Sequence, residues 1–180
     1  MSIKVALIII ENREDIKTEY AKFVSIVAWK RLVNGIFWWD GGRRPVWYMR
    51  QKMIEKVLKL EFDKILFIDS DVIPQEGFLD KLLSHNLPLV SGYYNDINGF
   101  PINRKFGTQF LGKGLMEVDV FSMGLSLISR EVLEKVPYPE PDPNWIPDSD
   151  IIWCEDVRKA GFKVMCDFSV QGYHLLQGIF

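Results

Sequence analysis

The chain has 180 residues, 48% hydrophobic and 26% charged, which is enough apolar material for one core and too much for a disordered segment. Its 22 basic and 24 acidic residues give a formal charge of −2, which argues against a dedicated nucleic-acid binder with a basic face. Cys154 and Cys166 form neither a CxxC pair nor a metal cluster, so a reducing, cytoplasmic compartment is expected rather than a disulfide framework. Val5 to Ile10 is apolar but too short to span a membrane. Glu11, Arg13, Glu14 and Asp15 follow at once, so the run reads as a buried strand rather than a signal peptide or anchor.

After that strand, Ile16, Tyr20, Phe23, Val24 and Val27 recur at three- and four-residue steps and predict an amphipathic helix. Ile36 to Trp39 is a second strand, closed by Asp40-Gly41-Gly42. Met49, Met53, Ile54, Val57 and Leu60 mark a second helix. Ile65 to Ile68 is a third buried strand, delivering Asp69-Ser70-Asp71 at its end. Pro74 suits the first turn of a helix carried by Phe78, Leu79, Leu82 and Leu83. Pro88 to Tyr93 is a fourth strand. The alternation predicts an α/β fold, an open and mainly parallel sheet with helices on both faces. In such sheets ligands bind beyond the carboxyl ends of the strands, where Glu11-Asn12, Asp40 and Asp69-Ser70-Asp71 all fall.

From residue 95 the rhythm changes. Asn95 to Pro101 is rich in turn formers, and short strands are expected near 108–111 and 116–121. Leu125 to Ile128 reads as a strand, and Ser129 as the cap of a helix through Val132, Leu133 and Val136. Four prolines between 137 and 143 exclude regular structure there. Asp148-Ser149-Asp150 opens a last helix that Gly161 stops, and Phe162 to Cys166 is the final strand. One domain over 1–180 is expected, in two halves, a regular 1–94 and a smaller, irregular 95–180, which a family resemblance described below would make the nucleotide-binding and the acceptor-side half.

Asp69-Ser70-Asp71 is the sharpest chemical feature. Two carboxylates at a strand end suit hard divalent cations such as Mg²⁺ and Mn²⁺, which share their shell with substrate phosphates. The alternative is a strand-to-helix turn in which one Asp merely caps the helix. Asp150 has the same two readings, proton acceptor or helix-start acid. His85, at a helix end, reads as structural. Trp29, Trp38 and Trp39 read as core, whereas Trp145 sits in the proline-rich loop and either stacks on a sugar or anchors the loop.

The strand ending in Asp69-Ser70-Asp71-Val72-Ile73-Pro74, the return Val90-Ser91-Gly92-Tyr93-Tyr94 and the stretch from Asp150 to His174 together resemble a GT-A glycosyltransferase. The order of these motifs is most similar to the short family-two-like transferases. The matching C-terminal pieces are Asp150 to Cys154, Ala160-Gly161-Phe162-Lys163 and Gly172-Tyr173-His174. That resemblance implies a nucleoside-diphosphate sugar donor, an acceptor hydroxyl of unknown identity and a Mn²⁺ or Mg²⁺ cofactor. It implies that Asp71 binds the metal, that Asp69 and Ser70 serve the metal or the donor ribose, and that His174 completes the metal or diphosphate site. It implies Asp150 as the base of an inverting transfer and Arg50 as a nucleotide contact, with Glu11, Asn12 and Asp40 near base and ribose. The family usually has Glu before the acid at position 150; this chain has Ser149, which leaves Asp148 as a second candidate. Glu155-Asp156 lies too close to Gly161 for the role. Arg43 and Arg44 read first as solvated charge.

Two rivals share the motif. Asp69-Ser70-Asp71 also fits the D-x-D opening of the D-x-D-x-[TV] nucleophile motif of haloacid-dehalogenase-like phosphatases, with Asp69 as nucleophile, though Ile73 stands at the [TV] position. A non-catalytic nucleotide-sugar-binding protein of the same fold is the other.

Overall fold

The computed structural model of the protein describes residues 3–11, 18–30, 32–40, 45–95, 103–106, 112–139 and 149–175. The N-terminal apolar run forms β1 (Val5–Glu11), which pairs in parallel on both sides. On one side lies β2 (Gly35–Asp40), with Glu11 opposite Asp40. On the other lies β3 (Lys64–Asp69), with Ile10 opposite Asp69. A central parallel strand is covered on both faces, and for that reason β1 shows no polar alternation. The three strand ends therefore reach one edge of the sheet together.

The connecting helices are α1 (Thr18–Trp29) and α2 (Val46–Val57). Beyond β3 come the short β4 (Val72–Pro74), α3 (Phe78–Ser84) and β5 (Leu89–Tyr93). The C-terminal half adds β6 (Leu115–Glu117), β7 (Leu125–Ser129), α4 (Arg130–Lys135), α5 (Ser149–Lys159) and β8 (Met165–His174). The strand order is β2-β1-β3-β7-β5-β8-β4, with β6 pairing β8. β1, β2, β3, β5 and β8 run one way; β4, β6 and β7 run against them.

Alternate residues of β1 and β3 feed two cores. Ala6, Ile8, Ile65 and Phe67 pack with Met53 of α2, Val132 of α4 and Trp153 of α5. Val5, Leu7, Ile9, Leu66 and Ile68 pack with Tyr20 and Val27 of α1 and Phe78 and Leu82 of α3. Each buried Val, Leu, Ile, Phe or Met among them contributes about 1.5–3 kcal/mol. The architecture is thus the expected α/β sheet with helices on both faces. Both cysteines are free and buried, and burial pushes the Cys166 thiol up to about 12. Among the described residues no helix is long and apolar enough to cross a membrane.

Several elements differ from the sequence expectation. Pro74 does not open a helix; it ends β4 opposite Gly172 of β8, and α3 starts only after Gly77. β4 stands last in the strand order, where a residue without an N–H breaks no ladder on its outer side. The final strand begins at Met165 and continues past Cys166 to His174, since buried Phe168 and Val170 alternate with exposed Ser169 and Gln171. The stretch 116–121 is not one strand, because β6 stops at Glu117 and Val120 makes an isolated bridge to Arg104. Parallel β3 and β5 are not neighbours, because β7 lies antiparallel between them. Ser129 precedes α4 but makes no side-chain cap. Trp38 is 38% exposed rather than core, with its ring edge-on to Tyr20. The strand expected at 108–111, most of the turn-rich stretch after Asn95, and most of the proline-rich loop with Trp145 lie outside the described residues, as do the side chains of Trp29 and Trp39.

Candidate active site

The site is built around a cation rather than around the carboxylates. Arg50 sits in the first turns of α2 on its buried face, beside Met49 and Met53. Its Nη1 donates to Asp150 Oδ1 at 2.6 Å and to the Tyr138 hydroxyl at 3.2 Å. Its Nη2 donates to both oxygens of Asp69, at 3.0 and 3.2 Å. One guanidinium fork therefore joins the end of β3 to the start of α5, a geometry a lysine point charge does not reproduce. Burial alone would pull the Arg50 guanidinium down. The Asp150 and Asp69 carboxylates and Tyr138 outweigh it and hold it above its ordinary value.

Both carboxylate oxygens of Asp150 accept hydrogen bonds. Oδ1 also accepts the Tyr138 hydroxyl at 2.5 Å, and Oδ2 accepts the Met123 amide at 3.0 Å. Burial, and then the Asp150 charge, push the Tyr138 phenol far above its ordinary value, so it stays a donor. Burial likewise pushes the Asp69 carboxyl up, with Arg50 pulling it back and Asp71 adding to the rise. The Asp69 side chain keeps 28% exposure, so water at its rim tempers that push.

Asp71 lies in the turn between β3 and β4, and β8 returns antiparallel to β4 with His174 opposite Val72. The Leu175 amide donates to the Asp71 carbonyl at 2.7 Å, which fixes the approach. As a result His174 Nε2 lies 3.4 Å from Asp71 Oδ2. The imidazole is stacked on Tyr94, with ring centroids 6.2 Å apart and planes at 17°. The Tyr94 hydroxyl shares a 2.6 Å hydrogen bond with Ser122. His174 Nδ1 is buried and finds no hydrogen-bond partner among the described residues.

The Asp71 carboxylate is the kind of ligand Mn²⁺ and Mg²⁺ prefer, whereas an imidazole nitrogen is a softer partner than these ions usually take. Among the described residues, however, no three His, Cys, Asp or Glu side chains converge to hold an ion by themselves. Asp69, expected as a third ligand, is turned onto Arg50 instead. The set fits an ion only if substrate oxygens complete its shell.

The other expected site residues divide as follows. Ser70 lies in the same turn as Asp71. Glu11 and Asp40 end β1 and β2 side by side, but their side chains lie outside the described residues, as do Asn12, Arg43, Arg44 and Asp148. His85 faces Asp167, away from this cluster. Glu155 is exposed and pairs with Lys159. Three contributors were not foreseen: Tyr138, Tyr94 and Gly124. A Cβ at Gly124 would fall 2.2 Å from both Asp69 Oδ2 and the Tyr94 hydroxyl, so only glycine admits this approach. A glycine directly before an apolar strand was the available signal for it. Nothing in the sequence marks Tyr138 apart from its proline-rich setting. Two cavities of about 670 and 680 Å³ lie elsewhere, one against Lys4, Phe62 and Arg130 and the other between α1 and the start of α3.

Neither a protein-family model nor a curated protein matches the sequence. Solved structures do match the fold. A197 from STIV aligns with a TM-score of 0.69 at 19% identity, over 96% of this chain and 85% of that one. GalNAc-T7, crystallised with UDP, GalNAc and Mn²⁺, aligns with a TM-score of 0.58 at 12% identity, over 97% of this chain. The chain spans 45% of the length of GalNAc-T7. The fold is therefore one that a GT-A glycosyltransferase shares.

Proposed function

We propose that the protein is a glycosyltransferase moving a sugar from a nucleoside-diphosphate donor to an acceptor hydroxyl, with Mn²⁺ or Mg²⁺ held by Asp71 and His174. The observation that carries this reading is the 3.4 Å approach of His174 to Asp71 at the carboxyl edge of the sheet. With Nε2 turned to the Asp71 carboxylate, the buried Nδ1 of the same ring finds no hydrogen-bond partner among the described residues, and a ligand group at this edge would supply one. The fold shared with GalNAc-T7 supports the same donor class.

When bound, such an ion neutralises the charge that develops on the departing diphosphate. The chain's own residues do the positioning. Arg50 neutralises Asp69 and aims its carboxylate at the donor's ribose or sugar, next to Ser70. Asp150 anchors Arg50. For Asp150 to serve as the base, its buried carboxylate, 3% exposed and accepting from Arg50, Tyr138 and Met123, must first become accessible to the acceptor hydroxyl. Glu11 and Asp40, which end β1 and β2 at the same edge, are assigned to base and ribose, and Asn12 joins them through the family resemblance alone.

The test is thermal unfolding and calorimetry with UDP and other nucleoside diphosphates, each with and without Mn²⁺. A ligand at a hundred times its Kd stabilises the native state by about 2.7 kcal/mol. Asp71→Asn and His174→Ala should lose the Mn²⁺-dependent part of binding while the ligand-free protein unfolds as before. Mn²⁺-dependent binding that survives in a folded Asp71→Asn protein refutes the proposal. Binding with no transfer to any acceptor points to the non-catalytic reading. The phosphatase reading needs a free Asp69 nucleophile, whereas Arg50 holds both of its oxygens; stabilisation by beryllofluoride would revive it.

A further inference from the structure

β8 does not run straight. Ser91 of β5 faces Cys166 and Tyr93 faces Gln171, so two steps on β5 (91 to 93) match five on β8 (166 to 171). The stretch 167–170 is thus an excursion from the β5 ladder. At its start β8 still pairs with β6, from Met165 opposite Glu117 to Asp167 opposite Leu115; after it β8 pairs with β4, His174 opposite Val72. Side chains alternate faces along a strand. Lengthening or shortening the excursion by one residue would turn His174 away from Asp71.

A knot of polar groups fixes the length of that excursion. Asp167 is buried, 1% exposed. Its Oδ1 accepts the Ser169 amide at 2.8 Å and the Ser169 hydroxyl at 2.5 Å, closing a tight local loop. Its Oδ2 lies 2.7 Å from Nε2 of His85, which caps the C-terminus of α3. Gln75 holds the far side: its side chain donates to the Ser169 carbonyl and its amide to the Gln171 carbonyl, both at 2.9 Å. Phe168, within the excursion, packs on Tyr93 with ring centroids 5.2 Å apart.

We propose that His85, Asp167 and Ser169 form a register clamp, a set of positioning residues that keys α3 into β8 and thereby places His174 against Asp71. The clamp makes no contact with the site itself. It rests on the reading of Asp71 and His174 as the donor-metal site only for its consequence in binding, not for its effect on register. Two amides report register directly: Leu175, bonded to the Asp71 carbonyl, and Gln75, bonded to the Gln171 carbonyl.

The experiment compares His85→Leu and Asp167→Ala with the conservative His85→Gln, which keeps a side-chain N–H for Asp167. Amide hydrogen exchange is read at residues 75 and 175 and along β1 and β3, and UDP binding with Mn²⁺ is read by calorimetry. The disruptive variants should lose protection at residues 75 and 175 while β1 and β3 stay protected. They should weaken Mn²⁺-dependent UDP binding by about 10–100-fold, the usual cost of losing a partner that orients a metal ligand. His85→Gln should restore both. If Asp167→Ala does not fold, the half-buried His85→Leu variant carries the test alone. Unchanged protection at both amides in a folded disruptive variant overturns the clamp. Lost protection with unchanged Mn²⁺-dependent UDP binding upholds the clamp and removes His174 from the metal site.

Discussion

Replacing Arg50 with leucine removes the charge that ties Asp69 and Asp150 together. The side chains of Arg50 and Asp150 are 5% and 4% exposed, so this pair lies inside the protein. Breaking such a pair from one side strands the other charge and costs about 3–5 kcal/mol, whereas an exposed pair contributes about 0–1 kcal/mol. Lys4–Glu61, with side chains 52% and 95% exposed, is an exposed pair in the same molecule and serves as the control. Against a typical total stability of about 5–15 kcal/mol, the Arg50→Leu loss is a large fraction. The double variant Arg50→Leu/Asp150→Asn also removes the most deeply buried stranded charge, keeps an acceptor for the Met123 amide and leaves only Asp69, 28% exposed, charged. It should be more stable than Arg50→Leu alone, because an uncompensated buried charge is worse than none. Urea unfolding at neutral pH, with the slope checked for constancy, measures all three proteins. A single variant within about 0.5 kcal/mol of the parent would refute the description of a buried ionic cluster, as would a double variant less stable than the single.

Gly124→Ala should cost about 1–3 kcal/mol, because a Cβ 2.2 Å from the Asp69 carboxylate and the Tyr94 hydroxyl forces both to move. The same variant should weaken Mn²⁺-dependent UDP binding, and thermal unfolding with calorimetry checks both effects. Acid stability should report Asp167. Burial would raise its carboxyl, but the Ser169 hydroxyl and amide and the His85 ring outweigh that and hold it below its ordinary value. A depressed folded pKa means the stabilisation is complete above the unfolded value of about 3.9 and disappears as pH falls through the folded one. The stability gap between the parent and Asp167→Asn should therefore stay constant above about pH 5 and shrink on further acidification, read by urea unfolding at stepped pH.

The local elements of this protein were legible in its sequence because local forces make them. The unbroken apolar runs of β1 and β3 require burial on both faces, and the three- and four-residue stripes of α1 and α2 require one buried side. The carboxyl edge carrying Glu11, Asp40 and Asp69 followed from the alternation of strands and helices. Other features were decided only when distant segments met. β7 takes its place between β3 and β5 through antiparallel pairings that no local pattern specifies. The excursion in β8 depends on His85, far away in sequence, meeting Asp167. Along the chain Asp150 reads as a base or as a helix-start acid, the family motif favouring the base. In the folded protein it answers to Arg50, Tyr138 and Met123. A side chain's type sets which bonds it can make. Which of them it does make depends on which groups share its small, dry volume, and only the packing of the whole chain fixes that.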